Sequence, residues 1–375
     1  MIRRAVLVAV LMAGQALAQG QGETAEAAAA AAARLEAASV MLQEADRGSD
    51  RISALTETVQ AYEDGLVALR DGLRRAAIRQ RAIETELDAR SEEVAELLGV
   101  LQTMGRAPAP LLLLHPSGPL GTARSGMMVS EVTPALQVRV DELKADLEEV
   151  SQLRALQDSA ADTLRRGLDG AQEARAQLSQ AISERTDLPQ RFTEDPVRTA
   201  LLIASTETLS AFASGLADVV DQDLGGVAPD ATALKGGLGL PVQGTVLRRF
   251  NQADAAGIVR PGLVIAARPR SLVTSPAAAT VRFRGPLLDY GNVIILEPAP
   301  DVLLVVAGLA EVFGEAGQVL PQGAPIGLMG GEQPGVDAIL TESAAGVGGG
   351  RSETLYLEVR EGQSAVDPAT WFALE

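Results

Sequence analysis

Only one imidazole, His115, and no thiol occur in the 375 residues. A catalytic zinc normally asks for at least two nitrogen or sulfur ligands. Ser–His and Cys–His nucleophilic devices ask for an imidazole base. A single His in a separate part of the chain supplies neither to the C-terminal region. The chemistry left is recognition. Tyr356 and Arg360 sit in Thr354-Leu355-Tyr356-Leu357-Glu358-Val359-Arg360, which reads as a strand. Four residues apart on a strand, their side chains share one side, and Tyr and Arg are residue types enriched at binding hot spots. Trp371 reads as a core anchor and His115 as a structural loop residue.

Charge narrows the partners. The formal net charge is −17, which argues against nucleic acid, since phosphate binding needs Lys and Arg clusters. It disfavours an acidic membrane surface as well. At the N-terminus Arg3 and Arg4 precede an apolar run and the Ala16-Leu17-Ala18 cleavage pattern. This reads as a signal peptide over 1–18, with an uncleaved anchor as the alternative. No later segment is apolar enough to span a membrane. A soluble protein of the bacterial envelope is expected.

The elements that must position the C-terminal strand come in order. Residues 23–106 read as one long helix. Ile52, Leu55, Val59, Tyr62, Leu66, Leu69, Leu73, Ala76, Gln80, Ile83 and Leu87 alternate by three and four, the seam of a coiled coil, extended backward through Leu35, Ala38, Leu42 and Ala45. Pro and Gly break the pattern over 105–134, around the run Leu111, Leu112, Leu113, Leu114. That run is either an exposed docking surface or the buried floor of the connection. A second seam follows through Leu136, Val140, Leu143, Leu147, Val150, Ala161, Leu164, Leu168, Ala171, Arg175, Leu178 and Ile182. Matched arms and a short connection predict an antiparallel hairpin over 19–190, each arm roughly 70 Å long. Parallel homodimers of each helix are the rival.

Asp195-Pro196 then starts a short amphipathic helix with Leu202, Ser205, Leu209, Phe212, Leu216 and Val219 on one stripe, and residues 225–239 read as a linker. Residues 191–239 thus form a helix-and-linker segment. The domain over 240–375 is all-β by pattern, with runs at 263–267, 280–284, 292–297, 302–306, 326–329 and 355–359 between Gly- and Pro-bearing turns. A barrel or sandwich is expected. Residues 338–352 read as a flexible loop.

Three segments of this domain resemble the metal-binding segments of LytM-type (M23 family) zinc endopeptidases. They are Arg260-Pro261-Gly262-Leu263-Val264, Val306-Ala307-Gly308-Leu309 and Thr354-Leu355-Tyr356. The glycines and the strand pattern are kept. The resemblance puts Arg260, Val264, Gly308, Thr354 and Tyr356 at the vacated metal-ligand positions, and implies the duplicated hybrid motif of that family. With Asp367-Pro368 and Trp371 closing the chain, the order of segments is similar to the EnvC-type murein hydrolase activators. The stretch from Pro110 to Pro116 looks like that family's hairpin connection.

That resemblance implies no enzyme activity, no metal and no cofactor. It implies activation of a periplasmic N-acetylmuramoyl-L-alanine amidase in septal peptidoglycan splitting, with the coiled coil docking on the FtsE–FtsX complex. Its partner groove maps to Val264, Tyr290, Tyr356 and Arg360. Pro261 and Val306 stand where Lys and Tyr are common in the family. Read from the residues alone, Tyr290 either lines the groove or caps a turn, and Arg360 either lines it or ends a solvated strand. Arg260 either meets a carboxylate or is a solvated loop residue. The rival function is a passive envelope scaffold that binds peptidoglycan without activating anything. The amphipathic helix over 196–223 has a stripe that needs cover, so it is expected over or near the groove as a latch.

Overall fold

The structure, a computed structural model of the chain, describes residues 27, 30–45, 47–92, 95, 99, 118–185, 190–191, 196–206, 208–218, 231–254, 257–345 and 352–374. The expected signal segment over 1–18, the 111–114 leucine run and His115 lie outside the described residues. The chain divides into two compact units. One comprises the residues to Ala68, Arg165–Ile339 and Gly348–Glu375, and the other Leu69–Leu164 with Leu340–Val347.

Two long helices carry the predicted seams: α1 over Gly48–Ala89 and α2 over Gly118–Ser183. In the first unit Tyr62 packs on Gly170 and Leu66 on Gly167, and Glu63 bonds Arg175 at 2.8 Å. In the second, Arg79 grips Glu149 at 2.7 Å and Gln157 donates to Gln80 at 2.9 Å. Numbers rise along one helix as they fall along the other, so the helices are antiparallel where they touch.

Four expectations change here. The first helix does not run through from residue 23. A helical segment over 30–43 ends, the chain reverses, and Arg34 reaches back to Glu57 at 2.9 Å and to Asp64. The break lies between residue 43 and Gly48, and Gly48, a poor helix former, with the polar Ser49-Asp50 pair opens α1. Secondly, α2 begins well inside the stretch read as connection and takes in an exposed Pro134. The second seam also drifts: Val150, Leu164 and Leu178 are buried while Leu147 is 53% exposed. Lastly, residues 336–345 form a helix, α5 (Val336–Ala345), because the Asp337 first turn and the Ala and Leu content outweigh the glycines that follow.

Among the described residues the β-domain has ten strands, β1 (Gly244–Arg248), β2 (Leu263–Ala267), β3 (Leu272–Thr274), β4 (Ala279–Pro286), β5 (Asn292–Ala299), β6 (Val302–Val312), β7 (Val319–Leu320), β8 (Pro325–Met329), β9 (Glu353–Glu361) and β10 (Ser364–Val366). All pairings are antiparallel, in the order β1-β2-β9-β6-β5-β4-β7, with β8 joining β6 to β3 and β10 added to β9. The six runs read from the sequence each fall within a strand. Short or polar β1, β3, β7 and β10 gave no run to read.

Period-two alternation sends Leu263, Ile265, Leu304, Val306, Leu355, Leu357 and Val359 to one face, where they bury with Trp371 and Phe372. The end of the expected linker belongs to this core. Leu238 is 3% exposed, and it exchanges backbone hydrogen bonds with Trp371 and Ala373.

The amphipathic segment is two helices rather than one. Helix α3 spans Pro196–Ser205 and α4 spans Leu209–Asp218. The Thr206 hydroxyl turns back on the Leu202 carbonyl, and the Thr208 hydroxyl accepts from the Ala211 amide at 3.1 Å. That is an N-cap, and a helix restarts after it.

Candidate functional site

The second face of the central strands is where the expected site residues meet. Strand β9 lies between β2 and β6, and the register sets Val264 and Ala307 on either side of Tyr356. Two glycines permit this packing. A Cβ on Gly262 would come within 2.7 Å of the Tyr356 ring, and one on Gly308 within 2.6 Å of the Thr354 carbonyl oxygen. Gly308 also has φ +93°, open to glycine and strained for other residues.

From Tyr356 a chain of contacts runs both ways. Its ring lies 6.2 Å from that of Tyr290, and the Arg260 guanidinium sits 5.7 Å from the Tyr290 ring centre, within cation–π range. In the other direction the Tyr356 hydroxyl donates to Glu358 at 2.7 Å, and Arg360 donates to the other Glu358 oxygen at 2.6 Å. Arg360 also donates to the Ser214 hydroxyl of α4 at 2.5 Å and to the Gln363 carbonyl. Burial first, then the neighbouring Glu358 carboxylate, pushes the Tyr356 phenol above its ordinary value.

Helix α4 covers this face. Leu209, Phe212, Ala213 and Leu216 bury against Phe283, Val293, Ile295, Leu303, Val305, Ala307 and Tyr356. Phe212 meets Phe283 edge-on, with centroids 4.7 Å apart. Each large side chain so covered contributes about 1.5–3 kcal/mol. Of the expected stripe, Leu209, Phe212 and Leu216 lie buried on this face.

Of the four expected groove residues, Val264, Tyr290 and Tyr356 join this cluster. Arg360 lies at its end, 1% exposed. It is not a solvated strand end, and with α4 in place it meets Glu358 and Ser214. Arg260 is exposed and stacks on Tyr290. Glu358, Ser214 and Phe212 went unread as site residues. The signal for Glu358 was present, since it lies between Tyr356 and Arg360 in the same period-two set. Nothing in the sequence pairs Ser214 with Arg360.

The five positions that the resemblance assigns to metal ligands present a guanidinium, an isopropyl group, a bare backbone, one hydroxyl and a phenol already donating to Glu358. That donor set does not fit zinc. Among the described residues no group of three His, Cys, Asp or Glu side chains could hold a metal.

Comparison with known proteins bears on the same strands. Residues 259–368 match the model of Peptidase family M23. The C-terminal domain is therefore an M23-type domain. An uncharacterized protein of Neisseria meningitidis serogroup B is 26% identical over 146 residues, 39% of this chain and 22% of that protein. The chain thus matches about a fifth of that relative's length. Among solved structures, Helicobacter pylori Csd3 is 22% identical over 36% of this chain and 34% of its own, with a TM-score of 0.28. A zinc-containing peptidase of Vibrio cholerae is 19% identical over 36% and 40%, also at 0.28.

Proposed function

We propose that this chain is a noncatalytic, EnvC-type activator of periplasmic N-acetylmuramoyl-L-alanine amidases in septal peptidoglycan splitting. The M23-type domain supports a role at peptidoglycan. The observation that supports the reading is the face around Tyr356: an aromatic and Arg-bearing floor with a single helix, α4, over it. The amidase would take the place of α4 on Val264, Tyr290 and Tyr356. Arg360, released from Ser214, would turn to the partner. The long helices would form a coiled-coil hairpin, with residues 111–114 as the candidate docking point for the periplasmic part of FtsX in the FtsE–FtsX complex. The protein would act in the periplasm at the division site, after removal of its signal segment, without metal or cofactor.

The test is release of dye from labelled peptidoglycan by each amidase of the same organism, with and without the purified mature chain. The chain alone should release nothing. Phe212→Glu, which sets a charge against Phe283, should free α4 and raise stimulation severalfold over the unaltered chain. Absence of stimulation with every amidase, for both proteins, would leave the passive peptidoglycan-binding scaffold as the reading. Stimulation unchanged by Phe212→Glu would remove α4 as a latch.

A further inference from the structure

Near the middle of α1 two consecutive carboxylates leave the helix in different directions, about 100° apart. Glu63 is a buried charge in an otherwise apolar neighbourhood. It accepts from Arg175 of α2 at 2.8 Å and from the Leu272 amide of β3 at 3.0 Å. Arg175 in turn donates to Gln333 at 2.9 Å, and both partners' side chains are less than a tenth exposed. Asp64 accepts from Arg34 of the 30–43 helix and from Gln243, just ahead of β1. Around them Ile52, Leu55, Val59, Ala174 and Leu178 bury against Leu272, Phe313 and Leu328. An apolar contact would hold this junction at least as firmly, since a buried ion pair loses most of its Coulomb gain to desolvation. What the pair adds is direction: one Glu63 oxygen takes both the Arg175 guanidinium and the Leu272 amide, and each Asp64 oxygen takes one donor, so every donor must stand in one place.

We propose that Glu63 and Asp64 form a clasp that makes the base of the helices a fixed part of the M23-type domain, so that a displacement of α1 or α2 is delivered to β3 and to the segment before β1. From β3 the hydrogen-bonded path is short. Leu272 pairs with Leu328 of β8, and Met329 of β8 pairs with Leu309 of β6, the strand that floors the covered face. The inference stands on these contacts and is independent of the amidase reading.

Hydrogen exchange on the full chain tests it, with the Leu272 amide as the direct probe. In Glu63→Ala, exchange across Leu272–Thr274 and Pro325–Met329 should rise about tenfold or more, while β5 keeps its protection. Glu63→Gln keeps an acceptor for the Leu272 amide, so exchange there should stay within about threefold of the unaltered chain. Should Glu63→Ala fail to fold, Gln243→Ala serves in its place and should loosen only the residues around β1. Unchanged exchange at the probed strand, or a rise spread evenly through β5 and β6, overturns the clasp.

Discussion

Strand β9 has two faces, and both are buried, by different means. Leu355, Leu357 and Val359 face a wholly apolar core closed by Trp371 and Phe372. Tyr356, Glu358 and Arg360 face a layer only one helix thick, and they meet it with a phenol, a carboxylate and a guanidinium. The first face behaves like any domain interior: its cover comes from the domain's own strands and last residues. The second is covered by α4, a ten-residue helix contributed from outside the β-domain. The β9 part of this face carries charge, but α4 lies mainly on apolar Phe283, Val293, Ile295, Leu303 and Val305, which need a cover of some kind. Because that cover is a separate helix, this is the face suited to exchanging it for a partner.

The comparison can be broken, beginning with the largest effect. Trp371→Ala empties the apolar side and should cost about 4 kcal/mol of unfolding free energy, read by denaturant titration. On the polar side, Arg360→Met leaves the Glu358 carboxylate buried without its cation. A loss of about 3 kcal/mol is expected, together with early proteolytic cutting around α4. An equally large, α4-independent loss would make the two faces alike.

Tyr356→Phe removes one hydrogen bond to a charged acceptor and should cost about 2 kcal/mol. It also sharpens the pH behaviour. The fold holds this phenol above its ordinary value near pH 10, so the neutral form is the stabilised one. Its contribution is intact below about pH 10 and declines as pH rises beyond it. Tyr356→Phe should flatten that alkaline decline. The smallest change is Ser214→Ala, about 1 kcal/mol, seen as faster exchange in α4 with the rest of the domain unaltered.

Much of this was legible before any coordinates. The six strand runs were marked by β-branched and aliphatic residues between Gly and Pro turns. The start of α3 was marked by Asp195-Pro196, and the meeting of Val264, Tyr290 and Tyr356 by the M23-like segments. Reading failed where local signals were weak or outvoted. Gly48 and Ser49 were too slight to interrupt a seam that continued on either side. Thr208 hid a helix restart inside an unbroken apolar stripe. The loop expected over 338–352 begins instead within a helix, since the glycine run after it masks the helical signal. For Arg360 the sequence leaves both a groove position and a solvated strand end open, because the helix that meets it lies far off in the chain.

The sequence alone determined that no His or Cys occurs within residues 240–375 and that period-two alternation gives β9 two distinct sides. Those properties belong to residue type and spacing, which need no partner. Which side Arg360 would meet, and that Ser214, about 150 positions earlier, would be waiting there, was settled by tertiary packing. So was the reach of Glu63 to Leu272. A buried charge is stable only where a distant donor happens to be brought, and no pattern within one segment encodes what another segment will supply.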